Sequence, residues 1–527
     1  MHRPAQQEGI GPASHAGEGN IGEFMQNSTD QYKGKLFRPG AFSWALYDFA
    51  NSAFYTTVVA GFFPAFFADY WSAGVDPSAS TAILGYTVSI ASLLIALFAP
   101  ILGSYADKGS RKKRFLFLFT TLGVIMTSLL FFVEKGDWAL AVTLYAAAFI
   151  GVLGSVVFYD SLIVSVSDED TVDTLSGFGF SIGYLGGGLL FLVNVLMFLN
   201  PQWFGFVDGK LAAAATAIGD NASFETVKSL VAGLPAQFGD IKNAFASAGT
   251  PTAEAQQALF ALVTDPVGAA KVMAIKVSFL MVAVWWAVFS IPIFMNVPEP
   301  GSGDKLNFKE AFVGGFKQLA ETFNEIRKYK IVLIFLFAYW FYIDGVDTII
   351  TMAVKFGKDI GFKTGDLISA LLLVQALGFP FAILFGWLGQ KFGSKRFLFV
   401  GIAVYVLITV LGSKLSTEPW DFLGLKIPSF FLLAGLVGMV QGGIQALSRS
   451  YYAKIIPAEK AGEFFGFYNM LGKFASVLGP LLMGSVGLAM GNTRYGILSV
   501  ALLFFIGGGL LYWVTLEERK QGINPDG

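Results

Sequence analysis

The sequence predicts an all-α polytopic membrane protein, with twelve transmembrane helices arranged as two six-helix bundles. Three observations carry that expectation. Hydrophobic residues make up 54 % of the 527-residue chain and charged residues only 14 %, whereas an ordinary soluble domain is about 25 % charged. The apolar excess is gathered into runs of about 17–25 residues, each long enough to cross a hydrocarbon core of about 30 Å. One loop sequence also recurs at matching places in the two halves of the chain.

The runs lie near residues 42–67, 81–102, 115–133, 139–163, 175–199, 272–296, 331–354, 367–389, 397–413, 428–451, 463–490 and 495–516. Residues 1–40 are polar and Gly-rich, lack the apolar stretch of a signal peptide, and read as a disordered cytoplasmic tail. Residues 41–199 then hold spans one to five of the first bundle, and 272–296 hold span six. The stretch 200–271 is Ala-rich and mildly amphipathic, so an exterior helical insertion is expected there. Residues 297–330 carry Pro298, Pro300 and several Lys and Glu, and read as a cytoplasmic linker. Residues 331–516 form the second bundle and 517–527 a cytoplasmic tail. An even number of spans puts both termini on one side. With the termini inside, cytoplasmic segments hold about 22 of the 36 Lys and Arg, the bias that sets orientation. Arg111, Lys112, Lys113 and Arg114 share one short loop, where that bias is strongest.

The rare residues exclude several chemistries. The chain has no Cys, which removes disulfides, thiolate metal sites and Cys nucleophiles. Its two histidines, His2 and His15, both lie in the tail, so the spans hold no His for catalysis or proton relay. A net charge of −1 shows no basic excess for nucleic acid. No metal, cofactor or ATP-binding motif is read, so no enzyme is expected. The expectation is a monomeric, gradient-driven transporter whose partners are the bilayer and a small-molecule substrate, with protons an open option.

The repeated loop sharpens this. The first copy reads Gly103-Ser-Tyr-Ala-Asp107-Lys108-Gly-Ser-Arg111-Lys-Lys113-Arg114-Phe-Leu-Phe117. The second reads Gly386-Trp-Leu-Gly-Gln390-Lys391-Phe-Gly393-Ser-Lys395-Arg396-Phe-Leu-Phe399. Their shared place after the second and eighth runs makes duplication a better account than chance, and parallel six-span repeats around a midplane site are a transporter architecture. Gly103 and Gly386 allow close helix approach. Asp107 can face a helix N-terminus, whose dipole favours an anion. Lys108, Arg111 and Lys391 can hold the loop at the anionic inner leaflet. Contacts of this kind latch one of two states; the bland alternative is that the basic residues only set topology.

Ionisable groups inside spans are costly, which makes them functional candidates. In span one, Trp44, Tyr47, Asp48, Asn51, Ser52 and Tyr55 fall at helical spacing on one polar, aromatic face, expected to line the central cavity. Asp48 can bind an ammonium or a proton, or pair with a base. Asp344 and Asp347 lie one turn apart in span seven, where close carboxylates disfavour double ionisation and one can hold a proton; a hydrated outer mouth is the alternative. Asp160, close to Asp168, Glu169 and Asp170, is expected at a solvated inner mouth. Gln441, Gln445 and Arg449 share one face of span ten. Arg449 can grip a carboxylate, but snorkelling to the surface or a structural pair is favoured. Lys473 lies deeper, with Tyr468 and Asn469 a turn below it, and is the better partner for an anion.

The pattern Gly-x-x-x-Asp-Lys followed by a basic cluster, repeated in the second half, resembles the loop motif of the major facilitator superfamily. This chain departs from it at Ser110, where the family has Gly, and at Gln390, where it has Asp. A latch role therefore rests more firmly on Asp107 than on Gln390. Trp44-Ala-Leu-Tyr47-Asp48-Phe-Ala-Asn51, Gly183-Tyr-Leu-Gly-Gly-Gly188, Tyr342-Ile-Asp344-Gly-Val-Asp347, Gln441-Gly-Gly-Ile-Gln445-Ala-Leu-Ser-Arg449 and Glu463-Phe-Phe-Gly-Phe-Tyr468-Asn469 follow in order. Together they resemble the autophagy-related vacuolar amino-acid effluxers and their bacterial relatives, over most of residues 40–516 but not over about 200–271. The resemblance implies export of neutral amino acids such as leucine, across a bacterial inner membrane or, in a eukaryote, a vacuolar one. A drug or metabolite exporter of the same fold, and a non-transporting scaffold or receptor, are the rival readings.

Overall fold

The computed structural model describes residues 38–522 apart from 76, 300–323, 325, 363 and 423–424; some side chains within helices, including those of Lys108 and Lys473, also lie outside the described set. The expected tail through residue 37, most of the 297–330 connection and residues 523–527 fall outside the described residues.

Helices follow in the expected order. Span one opens at Pro39–Ala53, with Pro in the first turn where no N–H is needed, and runs on through wider i→i+5 turns at Phe54–Phe62 and Phe67–Trp71. Spans two to six are Pro77–Gly109, Lys112–Leu129, Trp138–Ser161, Val172–Leu199 and Ala253–Asn296. Spans seven to twelve are Lys330–Ile360, Thr364–Phe392, Ser394–Ser413, Ser429–Ile455, Ala461–Ala489 and Thr493–Gln521, the last broken near Val500. Among the described residues, nine helices are individually long and apolar enough to cross a membrane. Residues Ile83–Ala99 and Ile101–Asp107 of span two add a tenth as a pair bent by 41°.

Within each half the first and last spans are tied at one end. Lys330, opening span seven, pairs with Glu517 near the end of span twelve at 3.0 Å. Asn296 at the end of span six donates to Ser43 Oγ in span one at 2.9 Å. The two bundles meet along spans two and eleven, and along spans five and eight, with span ten against span five.

The 200–271 stretch is helical as expected, but its boundary with span six differs. Ala253–Asn296 is one helix of 44 residues, about 66 Å at 1.5 Å per residue, so it passes well beyond the membrane core. Three short helices, Gly209–Gly219, Phe224–Ala232 and Gly239–Ser247, pack on its projecting part. Leu211, Val227, Val231, Phe245 and Val263 form a small apolar core separate from that of the bundles. Local capping fixes the starts: Asp208 accepts from the Lys210 and Leu211 amides, and Thr252 from that of Ala255. A short antiparallel hairpin, β1 at Trp420–Phe422 and β2 at Leu425–Ile427, joins spans nine and ten and has no counterpart in the sequence expectation.

Candidate functional site

Arg449 organises the centre of the molecule. It sits on span ten, among the small residues Gly442, Gly443, Ser448 and Ser450, and is 3 % exposed. Its guanidinium crosses to the first bundle. Nη2 meets Asp48 Oδ2 at 3.3 Å, and Nη1 meets Asp160 Oδ1 at 3.3 Å. Nε donates to Ser176 Oγ at 2.9 Å, and Nη2 to the Ser176 carbonyl at 3.1 Å. The planar ion also lies over the rings of Phe180 and Trp44, 4.3 and 4.7 Å from their centroids, a favourable placement for a weakly hydrated cation.

The carboxylates are held in turn. Tyr159 donates its hydroxyl to Asp48 Oδ2 at 2.7 Å. Trp44 Nε1 donates to the Tyr159 carbonyl at 2.9 Å and stacks on its ring. Asn469 on span eleven donates to Asp160 Oδ2 at 3.1 Å. Two acids from spans one and four therefore share one arginine from span ten. Burial of such ions is tolerated only when each is paired and hydrogen-bonded, and here each is.

Several expectations are corrected by this geometry. Arg449 does not snorkel, because Asp48, Asp160 and Ser176 satisfy it in the interior. Asp160 is not at a solvated mouth; it is 4 % exposed. Tyr47 does not line a central cavity: its hydroxyl bonds Thr120 Oγ1 of span three at 2.7 Å, inside the first bundle. Asn51 is buried, and Ser52 and Tyr55 are partly buried. Gln441 and Gln445 are partly buried and do not join the Arg449 cluster among the described contacts. The Lys473 side chain lies outside the described residues. Sequence reasoning passed over Tyr159 and Ser176 and treated Asn469 only as a neighbour of Lys473; an acid shared across bundles leaves no local pattern.

Nearer the chain ends, the repeated loops make two pseudo-equivalent junctions. Asp107 accepts from the amides of Gly462 and Glu463, at 3.0 and 2.8 Å, and so caps span eleven. Lys112 pairs with it at 2.8 Å. A Cβ on Gly103 would stand 2.2 Å from the Gly462 carbonyl oxygen, so only Gly permits this approach. In the second junction Gln390 Oε1 accepts from the Asp173 amide at 3.2 Å, at the start of span five. Asp173 then pairs with Lys454 at 2.7 Å and accepts from Ser394 Oγ at 2.8 Å. Gln390 thus occupies the place expected of an acid, with one amide contact where Asp107 has two and an ion pair. Lys113 and Lys395, the first residue of the shared pentapeptide, reach the Val297 carbonyl and Glu518 at the ends of spans six and twelve.

The other loop residues differ. Arg111 lies over the Tyr105 ring, 4.8 Å from its centroid, and Lys391 over that of Trp387 at 5.0 Å. The Lys108 side chain is outside the described residues. Ser110 adopts φ 48° and Gly393, its equivalent, φ 96°, the left-handed region that Gly enters without strain. Asp344 in span seven is fully buried, while Asp347 is partly buried. Two six-helix bundles with a buried ionic junction between them define a transporter of the major facilitator class.

Comparison with known proteins agrees. Residues 71–165 and 252–523 match the family model for vacuole effluxer Atg22-like proteins, and the chain belongs to that family. It is 34 % identical over 488 residues to YxiO of Bacillus subtilis (strain 168), designated an uncharacterized MFS-type transporter, covering 92 % of this chain and 97 % of that one. It is 28 % identical over 280 residues to autophagy-related protein 22 of Saccharomyces cerevisiae (strain ATCC 204508 / S288c), where the match covers 47 % of this chain and 52 % of the yeast protein. Among solved structures, the human organic anion transporter MFSD10 superposes with a TM-score of 0.59 at 14 % identity, covering 90 % of this chain and 99 % of that one. FucP in its outward conformation gives 0.53 at 13 %, covering 91 % and 99 %. The family match passes over residues 166–251, which include most of the insertion. The chain is an integral membrane transporter for a small molecule, not an enzyme.

Proposed function

We propose that this transporter exports small zwitterions, such as neutral amino acids, by alternating access. The observation that carries the reading is the Asp48–Arg449–Asp160 junction. A zwitterion brings an ammonium that suits Asp48 or Asp160 and a carboxylate that suits Arg449. It can therefore replace the contacts between bundles charge for charge. The exchange loosens the junction without leaving a buried ion unpaired, as rearrangement around a central site requires. The excess of Lys and Arg on the termini side supports a cytoplasmic placement of both chain ends. The two loop junctions are read as latches that hold that end closed.

The test is counterflow of labelled leucine, tyrosine and lysine in proteoliposomes preloaded with unlabelled amino acids. The parent chain is expected to accumulate leucine or tyrosine, and Asp48→Asn to lose that accumulation. No accumulation by folded parent protein sinks the amino-acid reading. Accumulation by both removes Asp48 from the substrate site.

A further inference from the structure

We infer that Asp344 is a proton-binding site, held against the Gly479 amide of span eleven and separate from the Arg449 junction. Asp344 is 0 % exposed within span seven. Its Oδ1 accepts from the Gly479 amide at 2.9 Å and from Thr348 Oγ1 at 3.4 Å. Its Oδ2 is buried with no hydrogen-bond partner. Pro480 follows Gly479 inside the continuous helix of span eleven and has no N–H to give the helical ladder. Gly479 lets the carboxylate in: a Cβ there would stand 1.8 Å from Thr348 Oγ1 and 2.8 Å from Asp344 Oδ1.

The two oxygens do opposite things. Oδ1 accepts from a backbone amide of span eleven, a hydrogen bond that favours the anion. Oδ2 faces no donor in a buried setting, which favours the neutral acid. Among the described residues, four cations of the second bundle are engaged elsewhere: Lys330 with Glu517, Lys395 with Glu518, Lys454 with Asp173, and Arg449 with Asp48 and Asp160; the Lys473 side chain lies outside the described set. From span eleven, among the described residues, the Gly479 amide meets Asp344, and from span twelve the ring of Phe504 packs at Gly345. On its own helix Asp347 lies one turn away and partly exposed, a second carboxylate whose charge opposes ionisation of Asp344.

Binding a proton forms one O–H bond at Oδ2 and takes the side chain from −1 to neutral. The proton comes from water on one side of the membrane and returns to water on the other. Loss of the negative charge weakens the hold on the Gly479 amide. Span eleven carries both that amide and Asn469, which donates to Asp160, so a shift at Gly479 reaches the central junction along one helix. This inference rests on the gradient-driven transport proposed above.

The test has two arms. In proteoliposomes, Asp344→Asn is expected to keep leucine counterflow but lose accumulation driven by a pH gradient, and Asp344→Glu to restore it. In infrared difference spectra between acid and alkaline pH, the purified parent is expected to show the carbonyl band of a titrating buried carboxylic acid. That band should vanish in Asp344→Asn and shift in Asp344→Glu. Unchanged spectra in both variants overturn the inference, as does full pH-driven accumulation by Asp344→Asn. If the parent shows no counterflow, the zwitterion reading fails and the infrared arm alone decides the proton site. If the Asn variant does not fold, the Glu variant's spectrum decides it.

Discussion

The two loop junctions near the chain ends use one geometry with different charges. In the first, Asp107 caps span eleven directly and Lys112 neutralises it. In the second, the neutral Gln390 touches the start of span five, and the acid has moved onto span five itself as Asp173, paired to Lys454 and Ser394. Loop and helix end can thus be joined with the anion on either partner. What is kept is the satisfaction of the orphan amides of the helix start and the neutralisation of one buried charge. The difference is depth. The Asp173 side chain is 0 % exposed and that of Lys454 4 %, whereas those of Asp107 and Lys112 are each 6 % exposed.

That difference orders the expected effects. Asp173→Ala leaves Lys454 as an uncompensated buried cation and should destabilise by about 3–5 kcal/mol, read as the largest drop in the midpoint of thermal unfolding in detergent. Asp107→Ala strands two helix-start amides and Lys112, and, because Asp107 is less deeply buried than Asp173, should destabilise by about 2–3 kcal/mol. An equal or larger loss for Asp107→Ala would break the comparison.

Glycine separates the junctions more finely. At Gly103 a methyl meets backbone at 2.2 Å, while at Gly386 it meets the Asp173 carbonyl at 2.8 Å and the Gly177 Cα at 2.9 Å. Overpacking of this kind costs about 1–3 kcal/mol, so Gly103→Ala should exceed Gly386→Ala. The native chain has no Cys, which makes thiol labelling a clean readout. Ala382→Cys, at a buried position beside Gly177, should label faster with either substitution present, and most with Gly103→Ala. The smallest effect is expected from Gln390→Ala, about 1 kcal/mol for neutral hydrogen bonds. Gln390→Asp sharpens the comparison: it restores the acid of the first junction but sets a second negative charge near Asp173, so it should not stabilise. A clear rise in unfolding midpoint would show that the second junction tolerates both anions.

Much of this molecule was legible in its residues. The runs of apolar residues gave the order of the spans because a bilayer demands long, internally bonded helices, and the shared pentapeptide located the two halves. Asp107 was legible as a helix-facing anion because the motif is local. Asp48 was legible because a carboxylate next to Tyr47 and one turn from Asn51 in an apolar span stands out. Its partner was legible only as an alternative: Arg449 was open to snorkelling, to a structural pair or to a carboxylate, because the sequence does not show which helices meet, and Asp160 was assigned to water by the acids that follow it. Asp173 went unremarked beside Asp168, Glu169 and Asp170, and Gln390 was discounted for lacking a charge.

The sequence by itself therefore determined the class, the spans, the duplication and which helices carry ionisable groups. These follow from hydrophobic period and composition, which act over a few turns. The tertiary structure alone decided which charges meet. Arg449 lies 401 residues from Asp48 and 289 from Asp160, and only the packing of one bundle on the other brings them within hydrogen-bond reach. The same kind of packing sets Asp344 against the Gly479 amide of span eleven. Pairing across such separations is a property of the interface between bundles, because a buried ion is stable only where the opposing helix supplies its counter-charge or its amides.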